Sequence, residues 1–111
     1  MNRNTMSACA KIAACICAQD GVISELEEQK LFGLLLERFP DLTPDALEEV
    51  LVEFFDSEDQ IEDYLELVDD ESLRKFTLRL AEESAAADGL AVEENVALQK
   101  ARRIWGVEDH V

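Results

Sequence analysis

The fold of this chain is decided by residues 18–27, which read AQDGVISELE, because the pattern returns 68 residues later. The second copy, at residues 86–95, reads AADGLAVEEN. In each copy an Ala-rich run ends at Asp-Gly, two apolar residues follow, and an acidic stretch begins. An internal repeat in so short a chain indicates two related halves that pack on one another. The sequence therefore predicts two equivalent Asp-Gly corners, related by an approximate internal two-fold axis.

The first corner has the chemistry of a turn between two helices. Gly21 suits the left-handed backbone conformation that ends a helix at no steric cost. Ser24 and Glu27 have the Ser-x-x-Glu spacing of a capping box, in which each side chain satisfies a backbone N–H at the helix start. Turn and cap chemistry alone is therefore one interpretation of the corner.

Cation binding is the other interpretation. Asp20 to Glu27 match the second half of a calcium-binding EF-hand loop, up to its bidentate glutamate. The first half does not match, because Ile16 and Ala18 stand at its first and third positions and offer no side-chain oxygen. A cation site would therefore need ligands from both corners.

The paired corners, the seven-residue separation of Asp20 and Glu27 and the AADG of the second copy resemble the TerB-like (tellurite-resistance B) family. The resemblance extends over nearly the whole chain, to the IWGV at residues 104–107. It implies one acidic, all-helical, non-enzymatic domain over residues 1–111. It also implies a role in bacterial resistance to tellurite and other stresses.

The resemblance further implies metal ligands at Asp20, Glu27 and Asp88. The fourth acid of the family falls on Asn95 in this chain. Glu94 is the candidate substitute, although it is expected to point about 100° away around the helix. Because these groups offer only oxygen, the expected ion is calcium or magnesium, weakly bound, rather than zinc or copper.

Net charge suggests a different class of function. The chain has 26 acidic and 10 basic residues among 111, and its 48% hydrophobic content is too high for disorder. Residues 41–71 contain fourteen acids and no Lys or Arg. Nucleic-acid binding is disfavoured, because phosphate contacts need basic side chains. The alternative hypothesis is a module that binds a basic protein surface, with mimicry of DNA phosphate as a variant. Its candidate contact residues are Glu48, Glu49, Glu53, Glu62 and Asp63.

Catalysis is not expected. The only histidine, His110, lies in the C-terminal tail, and no Gly-rich phosphate loop is present. Cys9, Cys15 and Cys17 are odd in number and all fall in the first helix, which favours packing over disulfides and a reduced, cytoplasmic compartment. No apolar run approaches the roughly 18 residues of a membrane span.

Apolar spacing at helical period predicts a compact all-α bundle of about six helices. The predicted helices cover about 5–19, about 25–39, a segment from Pro44, a short helix opened by a Ser57–Gln60 capping box, a segment from residue 70 or 71, and about 93–105. The second, rich in leucine, is expected to be central. The predicted core residues are Leu35, Leu51, Phe54, Phe76, Leu80 and Trp105. The main basic cluster, Arg74, Lys75 and Arg79, is expected to face the acidic segment.

The charge imbalance gives a first testable prediction. Because like charges repel across a surface with a net charge of -16, salt should stabilise the fold by screening that repulsion. We expect the thermal midpoint to rise as sodium chloride is increased from about 10 to about 200 mM, a range over which screening changes strongly. A midpoint that falls over this range would contradict the prediction.

Overall fold

The computed structural model describes residues 3–19 and 21–107, apart from the side chain of Asp88. Its helices are α1 (Arg3–Cys17), α2 (Glu25–Arg38), α3 (Pro44–Asp56), α4 (Ile61–Leu65), α5 (Glu71–Ala85) and α6 (Val92–Trp105), with a short 3-10 helix at Ala86–Asp88. No strand occurs within these residues, which confirms the predicted all-α bundle of about six helices. No helix among them combines the length and apolar content needed to cross a membrane.

Local capping chemistry sets most of the helix ends where the sequence predicts them. Thr43 precedes Pro44 and accepts a hydrogen bond from the Ala46 N–H at 3.2 Å. The Asp70 carboxylate accepts one from the Leu73 N–H at 2.9 Å and so starts α5. These bonds satisfy backbone donors that have no partner within the helix.

The start of α4 differs from the prediction. The Ser57 hydroxyl accepts from the Asp59 N–H at 3.0 Å, so it does not form a capping box with Gln60. Instead, Gln60 is itself the N-cap, and the Asp63 carboxylate accepts from its backbone N–H at 2.8 Å. A serine hydroxyl that bonds two residues ahead makes a local turn in competition with the cap. The helix therefore begins three residues later than the Ser57 motif indicates.

The central helix is α1, and the prediction that α2 is central was wrong. α1 packs against each of the other five helices, most extensively against α5. Its buried residues cover most of the helix circumference and leave the stripe of Asn4, Ser7, Lys11 and Cys15 exposed or partly exposed; they are Met6, Ala8, Cys9, Ala10, Ile12, Ala13, Ala14, Ile16 and Cys17. α2, in contrast, buries only one side. Small Ala and Cys side chains permit close approach by several neighbours, whereas the bulkier leucines of α2 form a single packing face.

The burial pattern of α1 and α5 follows the 68-residue offset of the repeat. The Thr77 hydroxyl donates to Cys9 Sγ over 3.1 Å, and these two buried residues occupy equivalent positions. The other equivalent pairs that are buried in both copies are Ala10 and Leu78, Ile12 and Leu80, Ala13 and Ala81, Ile16 and Ser84, and Cys17 and Ala85. Contact between equivalent residues is compatible with the predicted two-fold relation, because residues close to such an axis meet their own equivalents.

Four of the six predicted core residues are buried, namely Leu35, Leu51, Leu80 and Trp105. The Trp105 indole N–H also donates to the Leu65 carbonyl at 3.1 Å. Phe54 and Phe76 are partly buried and pack against this core, so their burial is less complete than that of the other four. Phe54 stands at the edge of the core because one side of its ring faces an open cleft.

The basic cluster contacts the acidic segment of residues 41–71 only at the C-terminal end of that segment. Arg79 pairs with Glu37 and Glu83, outside residues 41–71. Arg74 donates to the Val68 carbonyl at 2.8 Å and lies 5.5 Å from the centre of the Trp105 ring. Lys75 reaches Glu71 at 3.5 Å, but one helical turn away on α5 itself. The cluster thus supports α5 and the α6 end rather than neutralising the acidic surface.

Burial predicts the relative cost of core truncations. Leu80→Ala removes a fully buried side chain and should lower the free energy of unfolding by about 2–5 kcal/mol. Phe54→Ala should cost less, because its ring is only partly enclosed. Urea titration of both variants tests this order, with the exposed Val52→Ala as a control expected to lie within about 0.5 kcal/mol of wild type. An equal loss at Phe54 and Leu80 would contradict the structure.

Candidate cation site between the two corners

The first corner forms the capping box that its sequence predicts. Gly21 has φ +93°, the left-handed region that favours glycine. Ser24 Oγ accepts from the Glu27 N–H at 3.1 Å, and the Glu27 carboxylate accepts from the Ser24 N–H at 2.9 Å. Glu27 is only 3% exposed. A buried carboxylate therefore sits in the first turn of α2.

The second corner has the same arrangement, except that its N-cap residue has no side-chain acceptor. Gly89 has φ +99°, and Ala91 is the N-cap of α6. The Glu94 carboxylate accepts from the Ala91 N–H at 2.8 Å, and Glu94 is only 7% exposed. Ala91 has no side-chain oxygen to return the bond. The first turn of α6 thus also holds a buried carboxylate.

Glu94, and not Asn95, is the structural counterpart of Glu27. The two N-caps, Ser24 and Ala91, lie 67 residues apart, although the two corner glycines lie 68 apart. Asn95 is exposed, and its side chain accepts from Gln99 on the outside of α6. The expectation that Glu94 points away was therefore wrong, and the reason is that the second connection is one residue shorter.

Burial along the two following helices confirms the 67-residue offset. Leu31 in α2 and Leu98 in α6 are both fully buried. Leu34 and Ala101, one turn further on, are buried as well. The halves are thus in register up to the glycines and shifted by one residue after them.

Both carboxylates open onto one cleft between the corners. Its volume is about 250 Å³, and its lining residues are Gln19, Val22, Ser24, Glu27, Gly89, Ala91, Glu93 and Glu94. α2 also packs directly against the 3-10 helix of the second corner. The corners therefore approach each other, as a shared cation site requires.

Two of the predicted ligands cannot be placed in this cleft. Asp20 and the side chain of Asp88 lie outside the described residues. Within the residues that the structure does describe, no group of three or more His, Cys, Asp or Glu side chains is arranged to hold a metal ion. The described part of the chain thus supplies Glu27 and Glu94 as a pair, with Glu93 exposed at the rim.

The predicted protein-binding acids form a separate surface on α3 and α4. Glu48, Glu49, Glu53, Glu62 and Asp63 are all exposed. Cations from other helices pair with three of them: Arg3 with Glu49 at 2.7 Å, Lys11 with Glu53 at 3.1 Å and Lys100 with Glu62 at 3.3 Å. Exposed pairs of this kind stabilise a fold by little. They do reduce the net negative charge that this surface would present to a partner protein.

Two thiols are unsuited to nucleophilic chemistry. Burial, followed by the nearby Glu62 charge, raises the pKa of Cys15 to about 12. Burial also raises the pKa of Cys9, although the hydrogen bond from Thr77 opposes the shift. Thiols with raised pKa values are protonated near neutral pH, and the thiolate is the reactive form. A packing role therefore suits both residues.

No protein-family model, curated protein or solved structure matches this chain. The resemblance to the TerB-like family therefore depends on the corner residues and the motif spacing alone.

The capping bonds give a prediction for each buried glutamate. Glu27→Ala and Glu94→Ala each remove an acceptor from a helix-start N–H, so each should lower the free energy of unfolding by about 0.5–2 kcal/mol. Urea titration measures the change. Glu28→Ala is the matched control, because Glu28 lies in the same turn of α2 but is exposed. A Glu28 variant as destabilised as the Glu27 variant would exclude a special role for the cap.

Proposed function

We propose that this chain is a non-enzymatic, acidic helical module that binds calcium or magnesium weakly in the cleft between its two corners. The observation that carries the proposal is the pair of buried carboxylates, Glu27 and Glu94, which line one cleft from two helix starts. Buried acids need compensating partners, and each of these two already accepts a backbone N–H at its helix start. A hard divalent cation is a partner that prefers carboxylate oxygens.

The chemistry of the cleft explains why the binding is weak. An ionised carboxylate offers about four lone-pair sites, and each cap bond occupies one. The N-termini of α2 and α6 carry partial positive charge, which opposes a cation beside them. Asp20 and Asp88, which the family resemblance implies as ligands, would supply the additional negative charge, and water would complete six or more ligands.

From the family resemblance we also propose a role in bacterial resistance to tellurite or related stress, in the cytoplasm. A cation-dependent module would serve such a role by binding a partner rather than by transforming a substrate. The corner carboxylates would then sense the ion, and another surface would contact the partner.

A second candidate function is protein interaction through the acidic surface of residues 41–71. The observation in its favour is the exposure of Glu48, together with an absence of Lys and Arg from the whole segment. A basic protein surface remains the expected partner, since opposite charge speeds and orients association.

Isothermal titration of calcium and magnesium tests the cation proposal. Wild type should give heat at about millimolar metal, the weak end of the range for calcium modules, and Asp20→Asn and Asp88→Asn should both weaken binding. Glu27→Gln should weaken it as well, while its amide oxygen keeps an acceptor for the cap. This variant separates loss of binding from loss of the helix start.

Two matched controls sharpen the titration. Asp45→Asn removes an exposed acid at the start of α3, away from the cleft. Asn95→Glu adds an acid on the exposed side of α6. Neither should change the affinity. Absence of heat in wild type, or unchanged binding in both aspartate variants, would mean that the corners are only turns.

A further inference from the structure

A second, larger cleft lies between the end of α3, α4 and α6. Its volume is about 440 Å³. Neither Glu27 nor Glu94 lines it, and of the predicted contact acids its lining includes Glu62. Its apolar lining includes Cys15, Phe54, Phe55, Ile61 and Val96. Phe55 continues the apolar stripe of Leu51 and Phe54 in α3, so helical spacing alone does not distinguish it from a core residue.

Contacts between aromatic rings hold Phe55 in place. Its ring meets that of Phe54 edge-on, with ring centres 5.0 Å apart. The centre of the Phe54 ring in turn lies 6.2 Å from the centre of the buried Tyr64 ring. Phe55 is nevertheless 50% exposed. An aromatic side chain that is fixed on one side and open on the other is pre-organised as a binding anchor, since little rotamer freedom is lost on binding.

Val96 forms the opposite wall from α6. It is 60% exposed, although it lies within a helix whose neighbouring positions Ala97 and Leu98 are buried. Scattered apolar residues are normal on a protein surface, but grouped ones mark interaction sites. Phe55 and Val96 are grouped, because both line the same cleft.

The rim of this cleft is acidic. Asp59 and Glu62 line it, and the exposed Asp56 and Glu58 flank Asp59 in the chain. The cation at the rim is Lys100, which pairs with Glu62 at 3.3 Å. The lining therefore combines apolar side chains with two acids and one cation, and because Lys100 pairs with Glu62, Asp59 and its chain neighbours Asp56 and Glu58 supply the net negative charge.

These features select the occupant. A second copy of this chain is disfavoured, because two molecules that each carry a net charge of -16 repel one another. An apolar floor with an acidic rim matches a helix that has apolar residues on one face and Lys or Arg beside them. We infer that this α3–α4–α6 cleft binds a basic amphipathic helix of a partner protein, with Phe55 and Val96 as the apolar contacts.

The inference is independent of the proposed cation site. The two clefts share Gln19 in their linings, but no acid lines both. Cys15 contributes to the floor as a protonated, apolar group, because burial raises the pKa of its thiol. Peptide binding is therefore expected with or without a chelator, and its failure would leave the cation titration unaffected.

The test uses a fluorescein-labelled synthetic peptide of Leu and Lys, patterned to form an amphipathic helix. Fluorescence anisotropy measures its affinity for the full chain. Val96→Gln and Val52→Gln form a matched pair, because both valines are exposed at helix positions, 60% and 54%, and only Val96 lines the cleft. We expect Val96→Gln and Phe55→Ala to weaken binding by about tenfold, the scale of a hot-spot contact, and Val52→Gln to leave it unchanged.

The electrostatic contribution to peptide binding has its own variants and controls. Asp59→Asn should weaken binding, whereas Asp45→Asn, which removes an exposed acid outside the cleft, should not. A peptide with Glu in place of Lys should fail to bind. Circular dichroism of each variant verifies that the helices are retained.

Three results would overturn the inference. The first is equal weakening by Val52→Gln and Val96→Gln, which would mean general adhesion to an acidic surface. The second is no binding of the Lys peptide at about millimolar protein, the weak limit for a specific contact. The third is a dimer in sedimentation that Phe55→Ala dissociates, which would assign the cleft to a second copy.

Discussion

The packing of α1 against every other helix is the constraint on which the rest of the structure depends. A helix with so wide an apolar face needs several neighbours to cover it, and the small Ala and Cys side chains of α1 let five helices approach. Ile12 in the first half and Leu80 in the second half are both fully buried, at equivalent positions of the repeat. Close packing at such positions leaves no space for larger side chains. The corners are positioned by the same contact, because they are the ends of α1 and α5.

Enclosure of α1 also explains how charge is arranged. Acids that cannot enter the interior lie on α3, α4 and the helix starts, and the cations that reach those of α3 and α4 come from α1 and α6. Glu27 and Glu94 are exceptions, buried because backbone N–H groups compensate them. A cation in the corner cleft would therefore share oxygens that already hold two helices in place. The proposed ion binding would consequently be linked to the stability of those first turns.

The predictable parts of the fold were local ones. Thr43-Pro44, Asp70 and the Ser24–Glu27 pair set helix starts within a few residues, and side-chain chemistry at that distance can be read from sequence. The position of Glu94 could not be predicted, because Ala91 provides no capping oxygen and the Asp-Gly pattern suggests the wrong offset. The partial exposure of Phe54 could not be predicted either. Helical periodicity shows which face of α3 is apolar, but only the placement of α4 and α6 determines where that face ends.

The one-residue difference between the two connections bears on how the halves should be aligned. A gapless alignment sets Glu27 beside Asn95 and suggests that a carboxylate has been lost. A single gap after Gly89 sets Glu27 beside Glu94 and brings the buried leucines Leu31 and Leu98 into one column. The shorter loop thus moves an acid by one column in the sequence and keeps its place in the first turn of its helix. In repeated folds of this kind, loop length has to be settled before a missing side chain is counted as a loss.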